Sequence, residues 1–133
     1  MADLTITVAN VDWVSGGKRT KDAAETITAG DCLYELAAGT VGVATNADAT
    51  KDTVVGIALN DATSGHPCTY AEHGAVVGFG AILTVGIQYM LSATGAISPS
   101  ADSATSDYVS FIGHAITTSN MQVYIVNTGL QQG

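Results

Sequence analysis

Ile27-Thr28-Ala29-Gly30 returns 56 positions later as Leu83-Thr84-Val85-Gly86, and the register persists beyond it. Ala37 then falls on Ala93, Gly39 on Gly95 and Val41 on Ile97. One inserted residue later, Val55-Gly56-Ile57-Ala58-Leu59 meets Ile112-Gly113-His114-Ala115-Ile116, and Thr69-Tyr70 falls near Val123-Tyr124. The runs, turns and polar loops agree in order and spacing as well as in residues, which marks a duplication. In a chain of 133 residues, two such units make one domain in which each unit is the other's packing partner. The units are expected over about residues 27–78 and 83–129, facing each other across a pseudo-twofold axis. Gly56 and Gly113 then mark equivalent strand positions with close backbone approach or a bulge.

The patterning says what kind of unit this is. Helical periodicity is nearly absent, and its best candidate, Lys21 to Thr26, is too short to stand alone. β-favouring runs bounded by Gly, Asn, Asp, Ser or Pro dominate. They predict strands near Leu4–Val8, Asp31–Leu36, Val54–Asn60, Cys68–Glu72, Ala75–Gly78, Gln88–Ser92, Tyr108–Thr117 and Met121–Asn127. Turn chemistry lies between them at Ala38-Gly39, Asn60-Asp61, Ser64-Gly65, Thr94-Gly95 and Ser119-Asn120. Strands at this spacing without intervening helices predict an all-β fold, a compact β-sandwich or barrel built from two repeated β units.

Composition limits the partners. Ala, Thr, Gly and Ser make up nearly half of the chain. Burying a Leu or Phe contributes about 1.5–3 kcal/mol and an Ala much less, so burial between copies or on a larger surface is expected to add to the core. With 12 acidic and 4 basic residues, a net charge of −8, the chain has too few cations to neutralise a run of phosphates, which excludes nucleic acid as partner. A hydrophobic fraction of 47% is too high for a disordered acidic chain. The longest apolar stretch, Ala75 to Ile87, is interrupted by Thr84 and glycines and is too short to cross a bilayer, so no membrane role is expected. Met1 to Val8 carries no basic and apolar leader pattern, which predicts synthesis in the cytoplasm and two free, buried thiols at Cys32 and Cys68.

Residues 1–25 lie outside the repeat and are expected to form an extended N-terminal docking arm ahead of a single β domain over 26–133. The arm holds the one tryptophan, Trp13, and three of the four basic residues, Lys18, Arg19 and Lys21. This locally basic elbow is the candidate for docking on an acidic protein surface, and cutting it away is expected to leave the body folded.

No catalytic pattern in the chain is complete. Ser15 in Val14-Ser15-Gly16-Gly17 lacks the strand-turn-helix frame of a nucleophile elbow. His66-Pro67-Cys68 with His73 falls short of the three or four converging ligands that zinc needs. His114 takes the repeat position of Ile57, which predicts a core-edge or interface role. Gly78-Phe79-Gly80 has Leu83 where a dinucleotide fingerprint has its third glycine, and Asp48 to Asp52 lacks the central glycine of a calcium loop. No enzyme activity, cofactor or metal is expected.

Met1-Ala2-Asp3-Leu4-Thr5-Ile6-Thr7-Val8-Ala9-Asn10-Val11 followed by Thr26-Ile27-Thr28-Ala29-Gly30 resembles the small head decoration (cement) proteins of tailed bacteriophages. Val54 to Asn60, Ile82 to Gly86 and Asp107-Tyr108-Val109 continue the resemblance in order over nearly the whole chain. The stretch from Trp13 to Lys21 and the two cysteines depart from that pattern. The resemblance implies a non-enzymatic structural protein on the outer surface of the virion head, bound to the major capsid protein as a homotrimer. The other reading is a head-fibre base or surface adhesin that binds host glycans or proteins through loop tips at Asn60 to Gly65 and Ser98 to Asp107.

Overall fold

The computed structural model describes residues 4–48, 50–92, 95–99 and 108–131. Among them run β1 (Asp12–Ser15), β2 (Lys18–Asp22), β3 (Cys32–Glu35), β4 (Val41–Val43), β5 (Gly56–Ala58) and β6 (Pro67–Ala71). β7 (Val76–Gly78), β8 (Gln88–Leu91), β9 (Ile97–Pro99), β10 (Tyr108–Ala115) and β11 (Asn120–Gln131) follow, and one 3-10 turn, Val8–Asn10, precedes them all. The strands form two antiparallel sheets, a six-stranded one in the order β1-β7-β11-β10-β8-β9 and a five-stranded one in the order β2-β6-β5-β3-β4. Packed face to face, they make an all-β sandwich.

The duplication is written into the register. Leu33, Tyr34 and Glu35 pair with Val43, Gly42 and Val41, and 56 positions on Tyr89, Met90 and Leu91 pair with Pro99, Ser98 and Ile97. Cys32–Ile57 and Leu33–Gly56 recur as Gln88–His114 and Tyr89–Gly113. The turns recur too: Asp31 N–H donates to Thr28 O (3.0 Å) and Ile87 N–H to Thr84 O (3.2 Å), with Gly30 and Gly86 at φ +96° and +84°. Only glycine adopts that left-handed backbone freely. Gly56 and Gly113 answer each other at the point of close approach. A Cβ on either would run into the backbone carbonyl of the adjacent strand, that of Ala71 or Gln122, and β10 bulges between Phe111 and Gly113.

Two details differ from the sequence alignment. Ile57–Ala71 and Ala58–Tyr70 are matched by His114–Gln122 and Ala115–Met121, so Tyr70 answers Met121 rather than Tyr124. The reason is loop length, because residues 59–66 join β5 to β6 whereas only 116–119 join β10 to β11. Arg19–Tyr70 is likewise matched by Val77–Met121, so β2 is the counterpart of β7. The first unit is therefore β2–β6, and β7, placed by the sequence at the end of that unit, opens the second.

The units are not related by the expected twofold. Tyr89, Ala115 and Met121 carry the six-stranded sheet into the shared core, where they meet Cys32, Ile57 and Ala71. Their counterparts Leu33, Ala58 and Tyr70 lie on the far face of the five-stranded sheet, in a second cluster with Ala23, Ile27 and Ala62 from the segments crossing that face. A twofold would bring equivalent faces together; here unlike faces meet, as in head-to-tail stacking. The five-stranded sheet is consequently buried on both faces. Cys32 and Cys68 are both free and fully buried, Cys32 in the shared core and Cys68 in the second cluster.

The expected arm is part of the body. Leu4 N–H donates to Ile97 O (2.7 Å), and Leu4, Ile6 and Val11 pack against the shared core. Leu4–Val8 forms no strand; instead β1 joins β7 and β2 joins β6, so residues 12–22 supply an edge strand to each sheet. The physical reason is that β6 and β7 would otherwise present unpaired backbone edges. Deleting residues 1–21 would strip both edges, so it is expected to destabilise the whole sandwich instead of sparing it.

Candidate functional site

The chain turns a corner between β1 in one sheet and β2 in the other. Gly16, at φ +91° and pressed on Ala75, allows the turn, because a side chain there would meet the Ala75 backbone. Trp13 stands in the cross-strand row Trp13–Val77–Met121–Ala115, which faces inward, but at the sheet edge it stays 37% exposed. Its Nε1–H donates to Gly16 O at 3.2 Å.

Lys18, Arg19 and Lys21 do not form one cationic cluster. Lys18 pairs with Ala71 and faces the sandwich seam, where its Nζ lies 4.1 Å from the Trp13 ring centroid. Arg19 and Lys21 pair with Tyr70 and Cys68 and point to the opposite face of β2. Arg19 Nε meets Glu72 Oε1 at 2.6 Å, and Lys21 Nζ meets Glu35 Oε2 at 2.9 Å. The structure thus brings Trp13 and Lys18 together and holds the other two cations against carboxylates. Exposed ion pairs of this kind are worth only about 0.2–1 kcal/mol.

A second feature is an open depression of about 390 Å³ lined by Thr26, Ile27, Thr28, Asp61, Thr63 and His66. It exists because the β5–β6 connection folds back on the segment before β3, with an antiparallel bridge between Ile27 and Ala62. Asp61 Oδ1 accepts the Ala29 N–H (2.9 Å), and Thr63 Oγ1 lies 2.8 Å from His66 Nδ1. Nearby, burial holds the Asp31 carboxyl above the usual range; the Thr28 N–H works against this, and the charges of Asp61 and Glu25 add to it. Of the loop tips named for an adhesin, Asn60 to Gly65 supplies Asp61, Ala62 and Thr63 to this wall; of Ser98 to Asp107, Ser98 is buried in β9 instead of standing at a tip, and residues 100–107 lie outside the described residues.

The remaining histidines separate. His66 belongs to the depression, while Cys68 is buried two residues on. Among the described residues no group of three or more His, Cys, Asp or Glu is arranged to hold a metal ion. His73 Nδ1 accepts the Ile125 N–H at 2.9 Å, and its ring lies 4.9 Å from that of Tyr124. His114 is exposed on the outer side of the six-stranded sheet, where its counterpart Ile57 is fully buried.

Sequence reasoning missed that outer face. Tyr124, Val126 and Leu130 are 53%, 40% and 68% exposed on β11. The available signal was charge, because Asp102 and Asp107 are the only charged residues after Glu72. No family model matches the chain, and no curated protein matches it.

Proposed function

We propose that this chain is a non-enzymatic structural protein that binds the outer surface of a tailed-bacteriophage head as a homotrimer and stabilises the shell through the major capsid protein. The ordered resemblance along nearly the whole sequence supports the reading. The observation that carries it is the β1–β2 corner, which gives each sheet an edge strand and leaves Trp13 and Lys18 exposed on its seam side and Arg19 exposed on its other side. A load applied at that corner is shared by the whole sandwich, as a clamp requires. A docked patch of standard size buries about 1,200–2,000 Å² in total, and binding only to the expanded shell stabilises that state by mass action. Nucleic acid and membrane are not partners in this reading.

Co-sedimentation of the full chain with expanded, undecorated heads tests it. Saturable binding is expected, and its absence overturns the proposal. Replacing Lys18, Arg19 and Lys21 together by Ser is expected to weaken docking and flatten its salt dependence. If affinity and salt dependence both stay unchanged, the corner is not the docking site.

The depression walled by Asp61, Thr63 and His66 favours a second reading, an adhesin or head-fibre base whose loop binds host glycans or proteins. Glycan-array binding by the isolated protein, lost on Asp61→Ala, distinguishes it.

A further inference from the structure

Val76, Gln122, His114 and Gln88 form one cross-strand row on the outer face of the six-stranded sheet. Val126 and Phe111 pair in the next row, with Tyr124 between the two on β11. Strands β7 to β11 contain no Asp, Glu, Lys or Arg. The counterparts of Gln88, His114 and Gln122 in the first unit, Cys32, Ile57 and Ala71, are all fully buried. One copy of the duplicated sheet is therefore closed on this face and the other is open.

We propose that the open face is a self-association surface, turned toward the common axis in every copy of a homotrimer of this chain. Charge supports this occupant. Copies of a molecule with net charge −8 repel each other, and the part of the face formed by β7 to β11, with the Asp12 carboxylate out at the β1 edge, is where two of them approach without opposing like charges. A partner selected by charge complementarity would find nothing to pair with there. Composition agrees, since Tyr, Phe and Val with uncharged polar neighbours match the charge-depleted, aromatic core of protein interfaces. His73, held by the Ile125 N–H, sets its ring tilted against that of Tyr124 at 4.9 Å, which restricts the tyrosine and lowers the ordering cost of association. The proposal deepens the homotrimer above by naming its surface, and it stands apart from shell binding.

Sedimentation equilibrium of the full chain without shells is the test. The wild type is expected to be oligomeric. Tyr124→Glu and Gln88→Glu, which each bury an unpaired carboxylate in a contact between acidic copies, are expected to weaken association at least about tenfold. Ala38→Glu, an exposed control in the β3–β4 turn of the other sheet, is expected to change nothing. Circular dichroism checks that each variant is folded, and the nearly isosteric Gln88→Glu keeps the test decisive if Tyr124→Glu does not fold. A monomeric wild type, or association unchanged in the folded variants, overturns the proposal. A monomer that still decorates shells removes this surface and leaves the docking reading standing; an oligomer that ignores shells does the reverse. A chain that is monomeric throughout and loses shell binding on Tyr124→Glu reassigns the face to the shell and overturns self-association.

Discussion

A methyl group on Gly56 would have to share space with the Ala71 carbonyl oxygen, and one on Gly113 with that of Gln122. Backbone in a paired strand moves aside less easily than a side-chain tip, so Gly56→Ala and Gly113→Ala are each expected to lose about 3 kcal/mol, the upper end of ordinary overpacking. Gly39→Ala separates this effect from conformational strain, because Gly39 sits at φ +85° with nothing within 4 Å of an added Cβ. Its expected loss is about 1 kcal/mol, and urea midpoints compare the three. Asp31 provides a charge effect of opposite sign. Burial raises its folded pKa, so ionisation at pH 7 works against the folded state, and stability from the neutral form is lost as pH rises through the folded pKa. Asp31→Asn keeps an oxygen for the Thr28 N–H, now 2.9 Å from Asp31 Oδ2. The variant is expected to be more stable than wild type at pH 7, with the difference fading as pH falls below about 4, where the unfolded carboxyl is also neutral. Denaturation curves at pH 3.5 and 7 measure it, and an equal gain at both would exclude the charge as cause.

At the scale of elements, the segment from Ala44 to Val55 is tied to the six-stranded sheet by side chains. Asn127 accepts the Val54 N–H at 2.9 Å and donates to Val54 O at 3.1 Å, while buried Ser110 donates to Asp52 O at 2.6 Å. Asn127→Ala leaves both Val54 groups unpaired, and an expected loss of about 1–3 kcal/mol should appear with faster amide exchange in residues 50–55. Unchanged exchange there would show that the pair does not hold the segment. Asn127 was legible only as the end of a strand, since its partner lies 73 positions away. β3, β5, β6, β7, β8, β10 and β11 were legible because Val, Ile, Tyr and Leu recur between turn residues. β4 and β9 were not, because Gly42 and Pro99 leave Val41-Gly42-Val43 and Ile97-Ser98-Pro99 without an apolar run; nor was β1, and neither was β2, whose Lys18-Arg19-Thr20-Lys21-Asp22 has no apolar residue to signal a strand. β2 forms because the β6 edge offers backbone partners, a property of the assembled sheet that local pattern does not carry. The docking candidates were found as residues, but that Lys18 turns to Trp13 while Arg19 and Lys21 turn away follows from strand alternation, and so from knowing that β2 is a strand.

For the whole molecule, the head-to-tail packing of two like units produces two sheets of unequal status. Neighbours Cys32 and Leu33, Ile57 and Ala58, and Tyr70 and Ala71 are all buried, so the centre of the five-stranded sheet is covered on both faces. In the second unit, Gln88, His114 and Gln122 interrupt that pattern beside Tyr89, Ala115 and Met121. Register and turns are shared, so intrinsic strand preference cannot explain a difference in local stability; coverage can. Opening free energies follow buried contacts, and amides of β3, β5 and β6 are expected to exchange at least about tenfold more slowly than the matching amides of β8, β10 and β11. A twofold sandwich would predict equal protection, so equal rates would contradict the stacking. The measurement belongs on Gln88→Glu at low concentration, where the outer face is kept open. In concentrated wild type the gap should narrow specifically on β10 and β11, because a second copy would then supply the cover that the first unit receives from within its own chain.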